Sequence, residues 1–166
     1  MKMNDIKKAY FAGGCFWGVE YFFENVEGVQ SAISGYMGGH LNNPSYREVC
    51  SGTTGHLEVV EVTYNPSVIS FEALTKIFFE THDFTQTNGQ GPDIGPQYLS
   101  AIFYNDEEEK RVSKQFISIL ESKGFVVATK LIETTNTPFF EAEEYHQDYY
   151  FKHNKIPYCH QYKKVF

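Results

Sequence analysis

The pattern of hydrophobic and polar positions predicts short strands separated by amphipathic helices. Helices are predicted where apolar side chains recur every three or four residues, and strands where they alternate or cluster over a few positions. The predicted helices cover residues 16–25, 71–82, 107–123 and 141–151, and the predicted strands cover 8–12, 29–37, 57–64, 98–104 and 125–132. Helices alternate only loosely with strands, which predicts an α+β domain with helices packed on a mixed sheet.

Polar and small residues mark where these elements end. Ser70 is a predicted N-cap, and either Asn105 or Asp106 caps the charged helix that follows. The buried side of that helix is predicted from its apolar positions, Val112, Phe116, Ile119 and Leu120. Residues 38–55 and 87–97 have no periodicity and are predicted to be loops, and the chain is expected to be irregular after Pro157.

Composition and charge narrow the classes of function. A length of 166 residues favours one domain over residues 1–166, and 42% hydrophobic residues suffice for a core. The net charge of -7 argues against nucleic-acid binding. We see no apolar run near the ~18 residues of a membrane span and no secretory signal, so we expect a cytoplasmic protein without membrane association.

The chain has three cysteines, Cys15, Cys50 and Cys159. This sparse, odd count argues against a disulfide framework, and the absence of a Cys-x-x-Cys pair argues against structural zinc. The six histidines have no ligand spacing, so we expect no metal. Reactive or buried thiols remain.

Cys15 follows two glycines between a predicted strand and a predicted helix. The glycines permit a tight turn that places Cys15 near the helix N-terminus, where the positive dipole end favours a thiolate. A buried structural cysteine is about equally compatible with this pattern. The adjacent Phe16 and Trp17 could bind a small apolar group, although core packing explains them as well.

Glu58 shares a strand face with the apolar residues Val60, Val62 and Tyr64. Burial would raise its pKa and make it a candidate general acid, whereas a strand-end position could also bring it to solvent. For several further residues, a functional role and a purely structural role both stay open. These are Asp93 and Tyr98 in a proline-containing loop, Tyr46 in the earlier loop, the tail thiol of Cys159, the silent or secondary thiol of Cys50, and late aromatic residues such as His146 and Tyr150, expected to pack in the core.

Six ordered motifs, between about residues 8 and 160, resemble the A-type peptide-methionine (S)-S-oxide reductases. They are Gly14-Cys15-Phe16-Trp17-Gly18, Gly35-Tyr36-Met37-Gly38-Gly39, Tyr46-Arg47-Glu48-Val49-Cys50-Ser51-Gly52, Thr54-Gly55-His56-Leu57-Glu58-Val59-Val60, Gln90-Gly91-Pro92-Asp93-Ile94-Gly95-Pro96-Gln97-Tyr98 and Glu144-Tyr145-His146-Gln147-Asp148-Tyr149. We therefore expect a two-layer α/β sandwich with a ferredoxin-like core and an irregular C-terminal tail.

The resemblance implies a role for each matching position. Cys15 would attack the sulfoxide sulfur and Glu58 would protonate its oxygen, leaving Cys15 as a sulfenic acid. Cys159 would resolve that acid as a disulfide, which thioredoxin would reduce. Phe16 and Trp17 would hold the methyl group, and Tyr46, Asp93 and Tyr98 would form the polar end of the pocket. Methionine sulfoxide in proteins would be the substrate, with the free amino acid left open, and no cofactor is implied.

Two other classes of function are weighed against this one. In a thiol peroxidase, Cys15 would attack a peroxide, and in a non-catalytic binder the site would hold oxidised or methyl-bearing side chains without reducing them. A binder would have no use for Cys159. The family often has Pro, Arg and Arg where this chain has Phe84, Gly89 and Leu99.

Overall fold

A six-stranded mixed sheet forms the centre of the computed structural model, which describes residues 6–158 and 160–166. Its strands and a separate two-stranded hairpin are β1 (Lys7–Gly13), β2 (Val29–Met37), β3 (Leu57–Tyr64), β4 (Gly89–Gln90), β5 (Asp93–Ile94), β6 (Ser100–Tyr104), β7 (Lys130–Glu133) and β8 (Phe140–Glu141). The helices are α1 (Phe16–Glu24), α2 (Tyr46–Cys50), α3 (Phe71–Glu80), α4 (Glu107–Ser122) and α5 (Tyr149–Lys152).

The strand order is β7-β6-β1-β3-β2-β8, and the β4–β5 hairpin is separate. All neighbours in the large sheet are antiparallel except β6 and β7, which are parallel. The chain order β1-α1-β2-β3-α3-β6 with the spatial order β6-β1-β3-β2 is a ferredoxin-like arrangement. The α+β prediction of helices on a mixed sheet is confirmed.

Apolar side chains cover both faces of the central strand β3. On the helix face, Phe11 stacks on Phe23 and Phe78 with ring centroids 5.0 and 5.2 Å apart. A smaller cluster on the opposite face includes Val59 and Phe103, which are both fully buried. All residues of β3 except the half-buried Thr63 are buried, and they include Glu58 near the strand start.

The predicted caps agree with the local hydrogen bonds. Ser70 accepts from the backbone N–H of Ala73 at 3.0 Å, and of the two proposed caps it is Asp106 that accepts from Glu109, at 2.8 Å. Serine and aspartate side chains satisfy N–H groups that a helix start leaves without partners.

Several element predictions were wrong in detail. The predicted loop over 38–55 contains α2, which begins with a capping box in which Ser45 and Glu48 bond each other's backbone N–H. The loop over 87–97 contains the β4–β5 hairpin, and the last sheet strands begin later than predicted, at Ser100 and Lys130. Residues 125–129 are irregular, and the N–H of Ala128 bonds the carbonyl of Phe84 at 2.7 Å.

The side chain of Ile119 is 37% exposed, so its predicted burial on α4 was wrong. The buried stripe instead follows Val112, Phe116 and Leu120, and Ile119 lies beside it because each residue turns the helix by about 100°.

The predicted helix over residues 141–151 was also wrong. The chain there is the edge strand β8, a 3-10 turn at Glu144–His146 and then the single turn α5. The backbone of Gln147 is extended, with a ψ of 136°, and its side chain bonds both the N–H and the carbonyl of Ser34 on β2, each at 2.9 Å. Asp148 then has the left-handed φ of 52°. Within the described ranges 6–158 and 160–166, no helix is long and apolar enough to cross a membrane.

Candidate active site

Cys15 lies in the turn between β1 and α1. Gly14 has a φ of +99°, and a Cβ atom there would meet Gln90 at 2.5 Å, so this position requires glycine. Cys15 is the N-cap of α1, and its carbonyl accepts from the N–H of Gly18 at 3.1 Å. The thiol residue is only 7% exposed, at the end of the helix that favours negative charge.

Glu58 is the second residue of β3 and is 1% exposed, as the alternation of that strand predicted. Its Oε1 accepts from the backbone N–H of Phe16 at 3.1 Å, so the carboxyl lies at the helix end that carries Cys15. Its Oε2 is buried and has no hydrogen-bond partner among the residues that the structure describes.

Burial and, to a smaller extent, the negative charge of Asp93 raise the pKa of Glu58 to about 8, against the opposing effect of the Phe16 N–H. A carboxyl with this pKa is mostly protonated at neutral pH. Glu58 can therefore donate a proton under conditions in which an exposed glutamate cannot.

Phe16 and Trp17 form an aromatic wall beside these two residues. Phe16 is fully buried, with its ring centroid 5.6 Å from that of Tyr36 and 6.4 Å from that of Tyr46. Trp17 is half-buried and stacks on Tyr149, with ring centroids 3.6 Å apart and planes within 6°. Such a wall can hold an apolar group that carries a soft sulfur atom.

Tyr46 from α2, and Asp93 and Tyr98 from one loop, lie near Glu58. Burial and then the charge of Glu58 raise the pKa of both phenols, so both stay protonated and can donate hydrogen bonds. The charge of Cys15 also contributes to raising the pKa of Tyr98, which connects the phenol to the thiol. The three polar residues and the thiol therefore belong to one electrostatic unit.

The two neighbours of Cys159 contact this same region, although Cys159 itself lies outside the described residues. The Tyr158 hydroxyl donates to both carboxylate oxygens of Asp93 at 3.1 Å. His160 is 2% exposed, and its Nε2 is 2.6 Å from the carbonyl oxygen of Gly13. The tail thus contacts Asp93 just before position 159 and the turn that carries Cys15 just after it.

Cys50 is an exposed residue at the end of α2, beside the pocket. Burial is the largest cause of its raised pKa, and the hydrogen bond with the Tyr46 side chain opposes it. Phe84, where the family often has Pro, is 4% exposed and packs in the core against Phe79 and Phe125.

A family model described as peptide methionine sulfoxide reductase matches residues 7–165 of this chain. The chain belongs to the peptide methionine sulfoxide reductase family. The resemblance found in the six motifs is confirmed by this match and by close relatives. One of them, the peptide methionine sulfoxide reductase MsrA of Sulfolobus acidocaldarius, is 49% identical over 152 residues, which cover 91% of this chain and 85% of the relative.

Solved peptide methionine sulfoxide reductases have the same fold. Reduced Mxr1 from Saccharomyces cerevisiae is 35% identical and matches with a TM-score of 0.85 over 96% of this chain and 93% of that chain. Mxr1 in complex with Trx2 is 23% identical and matches with a TM-score of 0.61 over 99% of this chain and 96% of that chain.

The fold brings together the sequence-predicted site residues of the reductase that lie in the described part of the chain. These are Cys15, Phe16, Trp17, Tyr46, Glu58, Asp93 and Tyr98. The late segment supplies three more side chains beside this site, Glu143, His146 and Tyr149, which the sequence pattern did not assign to it. Glu143 accepts from the Tyr36 hydroxyl at 2.8 Å and from the Tyr46 N–H at 2.9 Å. His146 was expected only as core, and its burial agrees with that expectation. The motif over 144–149 was the one signal that pointed to this segment.

Proposed function

We propose that this protein reduces the S epimer of methionine sulfoxide in proteins to methionine. The observation that carries the proposal is the Glu58 carboxyl bonded to the N–H of Phe16, the residue after Cys15. A nucleophilic sulfur and a proton donor are the two groups that sulfoxide reduction requires, since the sulfoxide oxygen leaves its sulfur only when it is protonated. Family membership supports the same conclusion.

In the first step, the Cys15 thiolate attacks the sulfoxide sulfur while Glu58 transfers its proton to the sulfoxide oxygen. The attack forms a bond between Sγ and the substrate sulfur, and this bond and the sulfur–oxygen bond both break as the protonated oxygen passes to Sγ. The products are methionine and a Cys15 sulfenic acid, so the substrate sulfur is reduced by two electrons and Cys15 is oxidised by two. The raised pKa of Glu58, caused by burial, supports its role as acid.

In the second step, the Cys159 thiol attacks the sulfenic sulfur, which forms a disulfide and releases water. Thioredoxin then reduces the disulfide by thiol exchange and returns both cysteines to thiols. The contacts of Tyr158 and His160 with the Cys15 region support the choice of Cys159 as resolving thiol. The yeast relative Mxr1, solved in complex with Trx2, supports thioredoxin as the partner. Since reduced thioredoxin is maintained in the cytosol, we also propose a cytoplasmic location.

Substrate would bind with its methyl group against Phe16 and Trp17 and its oxygen toward Glu58. Tyr46 and Tyr98 would donate hydrogen bonds at the polar end, and Asp93 would keep the proton on Glu58 through its charge. Contacts to the methyl group and the oxygen fit either configuration at sulfur, so the preference for the S epimer is taken from the family resemblance.

The test is a thioredoxin-coupled assay on the separate S and R epimers. We expect turnover of the S epimer, at least about 100-fold slower turnover of the R epimer, and no turnover by Cys15→Ser. Cys50→Ser, which removes an exposed thiol, is the matched control and should keep wild-type activity. Preferential consumption of hydrogen peroxide would indicate a thiol peroxidase, and ligand binding without any reduction would indicate a binder. Either result would overturn the proposal.

A further inference from the structure

The indole of Trp17 is bonded to a residue 129 positions later in the chain. Its Nε1–H donates to Nδ1 of His146 at 3.0 Å. His146 is 1% exposed and packs among the aromatic rings of the pocket, with its ring centroid 4.3 Å from Tyr46 and 5.2 Å from Phe16. This contact connects the substrate wall on α1 to the late segment.

The contact determines where the imidazole carries its proton. An indole N–H can only donate, so Nδ1 of His146 must be the unprotonated acceptor. A neutral imidazole has one N–H group, and its proton therefore lies on Nε2. Only this neutral tautomer can hold the Trp17 indole.

The surroundings of His146 favour the neutral form. Its Nε2 is buried and meets no hydrogen-bond acceptor in the described part of the chain. Burial lowers its pKa, and the charge of Glu143 opposes that effect only in part. The titratable groups that face it are Tyr46 on α2 and Tyr145 and Glu143 on its own segment.

We propose that His146 is a positioning residue, which fixes the indole plane of Trp17 for the substrate by accepting its N–H. Tyr149 stacks on the indole 3.6 Å away, so the ring is held both at its edge and on one face. Without the edge contact the indole can rotate about χ2, and the wall no longer matches the substrate methyl group. The inference rests on the proposed role of Trp17 in binding methionine sulfoxide.

The chain contains one tryptophan, so a 15N-labelled sample gives a single indole N–H resonance that reports this contact. His146→Leu removes the acceptor and keeps much of the volume, whereas the Oδ1 of His146→Asn lies as many bonds from Cα as Nδ1 and can accept in its place. In His146→Leu we expect the resonance to move upfield and KM to rise about tenfold, with kcat changed by less than about threefold. In His146→Asn, KM and kcat should both lie within about threefold of their wild-type values.

A double-mutant cycle keeps the test decisive even if the leucine variant loses stability. If His146 acts through Trp17, His146→Leu should raise KM no further in a Trp17→Phe background. An unmoved indole resonance, a moved resonance with unchanged KM, equal impairment of the leucine and asparagine variants, or additive effects in the cycle would each overturn the inference. A wild-type protein without sulfoxide reductase activity would show instead that the proposed function itself is wrong.

Discussion

Replacing Glu58 by glutamine should change how the stability of the protein depends on pH. The carboxyl is 1% exposed on β3 and accepts one backbone hydrogen bond, from Phe16. Burial raises its pKa from 4.5 to about 8 in the folded state. Glu58→Gln places a neutral amide of nearly the same shape at this position, and because the amide does not titrate it adds no pH dependence to stability.

The size of the effect follows from the raised pKa. Because the folded value lies above the unfolded one, the stabilisation from this carboxyl is fully present below about pH 4.5 and is lost as pH rises through about 8. A change from 4.5 to about 8 corresponds to about 5 kcal/mol at 1.36 kcal/mol for each pH unit. Of this stabilisation, about 4 kcal/mol is lost as the pH rises from about 5 to about 9.

The assay is urea unfolding of wild type and Glu58→Gln, under reducing conditions, at these two pH values. The free energy of unfolding of wild type relative to the variant should fall by about 4 kcal/mol from the lower to the higher pH. Taking the difference cancels the other buried carboxyls, such as Glu20, which both proteins share. Glu27→Gln, at an exposed carboxyl, is the matched control and should show no comparable change. A Glu58→Gln difference that stays constant within about 1 kcal/mol would refute the buried, protonated carboxyl.

Two further substitutions test how the late segment and the tail support the site. The Glu143 carboxylate accepts from both the Tyr36 hydroxyl and the Tyr46 N–H, whereas Glu143→Gln keeps only one acceptor oxygen. We therefore expect kcat/KM on the S epimer to fall about threefold to tenfold. Wild-type kinetics would show that these bonds do not shape the pocket. In Gly18→Ala the new Cβ would clash with the imidazole of His160, which should displace the tail. Thioredoxin-coupled turnover should then slow about tenfold while rapid-quench measurement of the first turnover changes little, and equal loss in both steps would contradict this prediction.

The parts of the fold that local pattern determines were predictable. Strands β2 and β3 coincide with their predicted bounds, and α1 begins at the predicted Phe16. These segments have strong periodicity and clear end signals, so tertiary contacts reinforce what the local sequence already favours.

The segment over 141–151 was unpredictable from its own pattern because distant contacts override helix propensity. The Gln147 side chain bonds the backbone N–H and carbonyl of Ser34 on β2, as a neighbouring strand would. The N–H of Asp148 donates to Glu20 on α1 at 2.7 Å. Neither partner is recognisable from spacing, since each lies more than 100 residues away. The same separation hid the contact between Trp17 and His146.

For the candidate site, the residues alone left Cys15 and Glu58 undecided between structural and chemical roles. Strand alternation correctly predicted the burial of Glu58, but its hydrogen bond to the N–H of Phe16 depends on how β3 and α1 pack. The roles assigned to these residues are predictions, and they are open to direct chemical measurement.

The most direct measurement is a single turnover by Cys159→Ser without reductant, in the presence of a trap selective for sulfenic acids. The account predicts about one methionine released per protein and the trap attached to Cys15, because the oxidised sulfur then has no resolving thiol. No methionine, or a trap attached to Cys50 instead, would contradict the claim that Cys15 takes the sulfoxide oxygen.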